Sequence, residues 1–292
     1  MSRKLIILSL VWTIAFTSFA QINIWDGVRH HKKVEMTPYL ADNNNTHIAV
    51  VVCPGGSYFW HDMNAEGHEV GKWLQSNGIS AFVLRYRTAY VPAFVAWHRM
   101  LFRGNRYPDP QDDLRQALAV VRQNAKEWNI DPDKIGAMGF SAGGHLVMSA
   151  LELFDETDKP AFAVPVYPVV TMKKPYVHKR SRRGLLGDSK RHNKELINLL
   201  SLEDHVPDNC RPVFLVNCID DPIVDYHNSV LLDSALTAKH INHVYLKFKT
   251  GGHGFGASQH KGSTESQTWK QQFINWINQL YSLHTTHLNN NP

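Results

Sequence analysis

Cysteine is scarce, with three in 292 residues, Cys53, Cys210 and Cys218. So few thiols, odd in number, exclude a disulfide framework as the basis of the fold. Cys210 and Cys218 flank a strand-like run, where eight extended steps of about 3.3 Å hold them about 26 Å apart. A bridge reaches roughly 7 Å between Cα atoms, so three free, mostly buried thiols are expected. Metal-ligand spacing is missing too. Among 17 histidines, no His-x-x-x-His or Cys-x-x-Cys pair comes with supporting ligands, and His30-His31 and His240-x-x-His243 read as surface residues. No metal and no other cofactor is expected. No internal repeat or low-complexity tract occurs, and no strong excess of one charge. The formal charge of +5 is too small to argue for a nucleic-acid partner.

Long apolar runs are confined to the N-terminus. Arg3 and Lys4 precede an apolar stretch from Leu5 to Phe16, and Thr17-Ser18-Phe19-Ala20 closes it. The run is too short to cross a bilayer comfortably, and small residues at 18 and 20 fit a signal peptidase site. The expectation is a cleavable signal peptide over residues 1–20, cut after Ala20. It implies a secreted or periplasmic protein with no stable membrane insertion after cleavage. Losing Arg3 and Lys4 takes the formal charge from +5 to +3.

What is present suits a large globular core, with 43% hydrophobic and 20% charged residues. From residue 47 onward, apolar runs alternate with amphipathic stretches. Strands are expected at residues 47–53, 79–84, 134–139, 162–167, 213–218 and 243–248. Helices are expected at 65–75, 112–128, 143–151, 229–237 and 266–280, with apolar residues at helical spacing, as at Leu114, Leu118, Val121 and Ala125. This order predicts an α/β fold, a mostly parallel central sheet with helices on both faces, as one domain over residues 21–292. Val34 to Leu40 would add an antiparallel edge strand. Two long irregular segments, Thr88–Tyr107 and Thr171–Pro207, leave strand C-termini, where open α/β sheets place ligands. The second carries a basic cluster at Lys179, Arg180, Arg182 and Arg183. A solvated loop accounts for it, and a surface meeting an acidic polymer or glycan is the sharper alternative.

The strongest chemical signal is Gly139-Phe140-Ser141-Ala142-Gly143-Gly144, set between an expected strand and helix. A serine on this sharp turn exposes its Oγ, and the flanking glycines avoid collision with neighbouring backbone. A serine hydroxyl needs a base, and the base an orienting acid, in the chain order Ser, Asp, His. His253, among glycines in Thr250-Gly-Gly-His-Gly-Phe-Gly256, is the expected base. Asp221, which precedes a Pro-x-Val turn, is the expected acid. Asp220 is the alternative and would otherwise be structural, capping the following turn. The N–H groups of Gly56, Ser57 and Ala142 are the expected oxyanion donors. Tyr58, Trp60, His61, Trp97 and His98 are candidates for contact with substrate.

Together Cys53-Pro-Gly-Gly-Ser-Tyr58, Arg85-Tyr-Arg87, Asp131-Pro-Asp-Lys-Ile135, Gly139-Phe-Ser-Ala-Gly-Gly-His145, Asp220-Asp-Pro-Ile-Val224 and Gly251-Gly-His-Gly-Phe255 resemble the α/β-hydrolase carboxylesterases. They look closest to the acetyl esterase and acetylxylan esterase branch. Gly184-Leu-Leu-Gly187, Ser201-Leu-Glu and His205-Val-Pro207 are similar to that branch as well. The sequence departs from the pattern at Ser57, where a third glycine is common, and at Asp225, where a proline usually follows Val224. The resemblance implies a secreted serine esterase acting on acylated carbohydrate or a small ester, through an acyl-enzyme. A secreted prolyl-type peptidase of the same fold is the alternative, although no gating domain is visible upstream. Intact Ser, Asp and His in order argue against a non-catalytic binding protein.

Overall fold

A computed structural model describes residues 21–28, 33–95 and 104–288. Its eight strands form one sheet in the order β1-β2-β4-β3-β5-β6-β7-β8. They are β1 (Ile22–Asn23), β2 (Glu35–Tyr39), β3 (Ala49–Cys53), β4 (Ser80–Leu84), β5 (Ile135–Phe140), β6 (Ala163–Val166), β7 (Val213–Cys218) and β8 (His243–Phe248). The sheet is antiparallel where β1 meets β2 and β2 meets β4, and parallel from β4 through β8.

The inner strands are short β-branched or apolar runs buried along their whole length, as strands covered on both faces must be. In β3 the alternation divides the core. Ala49, Val51 and Cys53 face one layer with Leu114, Leu118 and Leu146, while Val50 and Val52 face another with Leu74, Trp269 and Phe273. The first layer lies under α3 (Asp109–Gln123), α4 (Ala142–Leu153) and α7 (His227–Ala238). The second lies under α1 (Glu69–Ser76) and α9 (Trp269–Leu288).

Several expectations are corrected. The antiparallel strand is present as β2, but β1 pairs outside it, so β2 is not the edge. The helix expected over 65–75 begins as a π-turn at Asn64–His68 before α1. The helix expected through residue 128 ends at Gln123, although Ala125 stays in the core, because residues 124–128 turn toward Asn129 in the left-handed region. Neither irregular segment lacks structure. Residues 88–107 contain α2 (Val91–Val95), and residues 171–207 contain α5 (Lys179–Lys190), kinked at Gly187, and α6 (Lys194–Leu199). The last expected helix is split into α8 (Thr264–Gln267), started by a Ser263–Ser266 capping box, and α9. All three cysteine thiols are free, with Cys53 and Cys218 buried.

The strand order places the site. From β3 the chain moves outward to β4, then returns to the other side of β3 for β5 and continues to β8. The loops after β3 and β5 therefore diverge at a topological switch point, where open α/β sheets have a crevice beyond the strand C-termini.

Candidate active site

Ser141 is the single residue between β5 and α4, and its φ of 54° with ψ of −115° lies in a region that non-glycine residues rarely occupy. The turn is possible only because glycines surround it. A Cβ on Gly139 would stand 2.1 Å from the Gly143 carbonyl oxygen, and one on Gly143 would stand 2.0 Å from that of Cys53. The Ser141 N–H donates to the Val166 carbonyl at 3.0 Å, which ties the turn to β6.

The loops after β7 and β8 bring the other two expected residues to this serine. His253 Nε2 lies 3.0 Å from Ser141 Oγ, and His253 Nδ1 lies 2.6 Å from Asp221 Oδ2. A carboxylate only accepts, so Nδ1 carries the proton and Nε2 is left to accept from the serine hydroxyl. The Asp221 side chain is only 1% exposed. Its Oδ1 accepts from the N–H groups of Ile223 at 2.8 Å and Val224 at 2.9 Å.

Asp220 does something different from the expected capping of its own turn, which Asp221 performs. Its Oδ1 accepts from the Gly252 N–H at 2.8 Å and its Oδ2 from the Gly251 N–H at 3.2 Å. Asp220 thus grips the loop that carries His253.

The loop after β3 passes against the nucleophile, since a Cβ on Gly55 would lie 2.8 Å from Ser141 Cβ. Gly56, Ser57 and Tyr58 all have positive φ, of 142°, 56° and 62°. Two successive non-glycine residues in that region mark a backbone held by its surroundings. The Gly56 carbonyl accepts from the Phe59 and Trp60 N–H groups, while the N–H groups of Gly56 and Ser57 have no acceptor among the described residues. Ala142 opens α4, so its N–H has no partner within the helix. The expected oxyanion donors are thus unspent hydrogen-bonding groups on the two loops that flank Ser141.

The candidate substrate contacts fare unevenly. Tyr58 is corrected: it is buried, and its hydroxyl donates to His145 Nδ1 at 2.9 Å while His145 Nε2 donates to the Leu200 carbonyl. His61 lies edge-on to Tyr86, and burial, then Arg85, push its imidazole down to about 3. His61 and Trp60 line a cavity of about 460 Å³ with Arg85, Arg87 and Tyr90, and no triad residue lines it. Trp60 also packs against Phe94 and lies under the Arg180 guanidinium. Trp97 and His98 lie outside the described residues, as do residues 1–20 and the His30-His31 pair.

The basic cluster is not a solvated loop. It forms α5, whose Gly184 packs on the Ser57 carbonyl, where a Cβ would stand 2.2 Å away. Arg183 donates to the Ala93 and Phe94 carbonyls at the end of α2 and to Asp188, and Arg182 donates to the Met172 carbonyl.

Three residues near the site were not foreseen. His178, at the start of α5, pairs its Nδ1 with Ser181 Oγ at 2.7 Å, and burial, then Arg180 and His253, push it down to about 4. Glu66 and Tyr167 are buried beside the triad. Nothing in local spacing marks them, since each lies in a segment that reads as ordinary core. No group of three or more His, Cys, Asp or Glu arranged for a metal occurs among the described residues. No helix among them is long and apolar enough to cross a membrane.

Comparison with known proteins identifies the family. The BD-FAE family model matches residues 36–236. An acetylxylan esterase of Xylanibacter ruminicola is 31% identical over 266 residues, which cover 88% of this chain and 51% of that protein. An endo-1,4-beta-xylanase B of Butyrivibrio fibrisolvens is 32% identical over 227 residues, 74% of this chain and 34% of that protein. The chain thus spans about half the length of the first relative and a third of the second. In structure, an acetyl ester-xyloside bifunctional hydrolase from Caldicellulosiruptor lactoaceticus superposes with a TM-score of 0.76 at 28% identity, over 89% of this chain and 96% of that one. A carboxylesterase from Lactobacillus plantarum, at 19% identity and a TM-score of 0.69 over 89% and 96%, shares the fold. The fold is that of the α/β hydrolases.

Proposed function

This chain belongs to the BD-FAE family, and from that premise we propose that it is a serine carboxylic ester hydrolase that removes acetyl groups from carbohydrate such as acetylated xylan. One observation carries the reading: the Ser141–His253–Asp221 relay, at 3.0 and 2.6 Å, stands beside unspent N–H groups. Ser141 Oγ attacks the ester carbonyl as its proton passes to His253 Nε2. Negative charge develops on the carbonyl oxygen, and the unspent N–H groups of Gly56, Ser57 and Ala142 are the donors assigned to it. His253 then protonates the departing sugar oxygen, leaving acetyl on Ser141. Water, deprotonated by the same imidazole, releases acetate and restores the serine.

The similarity to an acetylxylan esterase and to a bifunctional acetyl ester-xyloside hydrolase supports the acetylated carbohydrate as substrate. We propose export as well, supported by the N-terminal sequence alone. Secreted protein should begin at Gln21 on N-terminal sequencing, and a start at Met1 would contradict it.

The substrate test compares p-nitrophenyl acetate, butyrate and octanoate with acetate release from acetylated xylan, using wild type and Ser141→Ala. Activity should fall steeply with chain length, extend to the xylan and vanish in the variant. Cleavage of prolyl peptides without ester hydrolysis would replace the reading with a peptidase.

A further inference from the structure

Glu66 sits just before α1 and is 3% exposed, yet no lysine or arginine among the described residues pairs with it. Burying a carboxyl group costs heavily unless hydrogen bonds replace its water. Two do so, and both lead to catalytic loops. Oε2 accepts from the Gly55 N–H at 2.7 Å, and Oε1 accepts from the Tyr167 hydroxyl at 2.8 Å. The Tyr167 oxygen in turn accepts from the Gly256 N–H at 2.9 Å. A chain of three hydrogen bonds therefore joins the loop after β3 to the loop that carries His253.

Packing reinforces the chain. The Tyr167 ring centre is 4.6 Å from that of His253 and 4.7 Å from that of Phe255. The Ala65 carbonyl, next to Glu66, accepts from the Ala257 N–H at 2.9 Å, and the Gly256 carbonyl accepts from Trp269 Nε1 at 3.1 Å. Tyr167 itself has φ of 38° and is pinned by its N–H to the Val216 carbonyl. Burial raises the Glu66 carboxyl above its usual value, while the nearby His253 imidazole, the Tyr167 hydroxyl and the Gly55 N–H oppose that rise.

We propose that Glu66 and Tyr167 form a positioning pair that holds the oxyanion loop and the His253 loop in mutual register across Ser141, a role that rests on the esterase reading of that serine. Both side chains are buried, so the role assigned to them is positioning and not contact with substrate. Gly55 is one residue from the proposed donor Gly56, and Gly256 is three from His253. A small loss of register displaces donors that act chiefly on the transition state, so kcat should respond and KM should not. The pair should act as one unit, making its deletions less than additive.

The test measures kcat and KM for p-nitrophenyl acetate, and the rate of Ser141 labelling by a fluorophosphonate, in wild type, Glu66→Gln, Tyr167→Phe and the double variant. Thermal unfolding is followed alongside. Gln cannot accept from both donors, and Phe keeps the ring but removes the hydroxyl. Direct loss of one oxyanion donor costs about 10²–10³ in kcat, so loss of a support should cost about 10–100-fold. Each single variant should lose that much kcat and labelling rate, with KM within about twofold. The double variant should be no worse than about threefold below the poorer single. Should Glu66→Gln not fold, Tyr167→Phe, which leaves the carboxyl in place, decides alone. Folded variants with wild-type labelling rates, or losses that appear in KM, would overturn the proposal. Wild type that labels at Ser141 but cleaves no ester would overturn the esterase reading and leave the positioning pair standing.

Discussion

Replacing Asp221 by Asn separates the two adjacent acids. Asp221 Oδ1 is held by two N–H donors, from Ile223 at 2.8 Å and Val224 at 2.9 Å. An amide at this position must keep its oxygen there, because the reverse orientation would set an NH₂ group against two N–H groups. The NH₂ is then forced to the place of Oδ2, 2.6 Å from His253 Nδ1. A donor at that place requires Nδ1 to be unprotonated, which puts the proton on Nε2 and removes the base from Ser141. The same tautomer trap in a serine protease triad costs about 10⁴ in kcat. Asp221→Asn should therefore lose about 10³–10⁴-fold, equal to about 4–5.5 kcal/mol of barrier. Both capping bonds survive, so stability should fall by only about 1–2 kcal/mol. Steady-state hydrolysis of p-nitrophenyl acetate, with urea unfolding alongside, reads both quantities. A folded Asp221→Asn enzyme within tenfold of wild type would refute the argument.

Asp220→Ala frees the Gly251 and Gly252 N–H groups without altering the triad. Its kcat should fall by about tenfold, far less than for Asp221→Asn, and an equal loss in the two would reassign the acid. Gly143→Ala puts a methyl group 2.0 Å from the Cys53 carbonyl oxygen, and soluble protein with wild-type activity would contradict the tight approach of α4 to β3. Burial lowers the His145 imidazole to about 4 from 6.5. The unfolded chain therefore binds the extra proton between pH 6.5 and 4, so stability falls as pH falls through that window, by about 3 kcal/mol from this group. Urea unfolding at pH 7, 5.5 and 4 should show the fall in wild type and a shallower one in His145→Gln. Equal slopes would contradict a neutral buried imidazole.

The parallel sheet was legible because its strands are short apolar runs with strong turn signals at their ends, as at Cys53-Pro-Gly-Gly and Phe140-Ser-Ala-Gly. The candidate triad is legible because Ser141 and His253 sit on strand-ending loops among glycines, required by close backbone contact at Gly139 and Gly143 and by positive φ at Gly252 and Gly254, while Asp221 follows a strand in the expected chain order. The two-residue β1 is too short to show alternation of its own and exists only by pairing with β2. The helices α5 and α6 are hidden because charged residues mask the apolar face of α5, with Leu185 and Leu186 buried beside Arg183, which donates to carbonyls of α2, and Arg182, which donates to the Met172 carbonyl. Tyr58 reads like a binding residue in its motif, but its ring turns inward to serve His145, which pattern alone does not reveal. Glu66 and Tyr167 are 101 residues apart, and only the folded chain brings them together.

The claim that Ser141 carries the chemistry is tested most directly by quenching wild-type enzyme during turnover of p-nitrophenyl acetate and mapping the modified peptide by mass spectrometry. One acetyl group is expected, on Ser141, that decays when substrate is exhausted. Acetyl on another residue, or steady turnover by a Ser141→Ala enzyme, would contradict it.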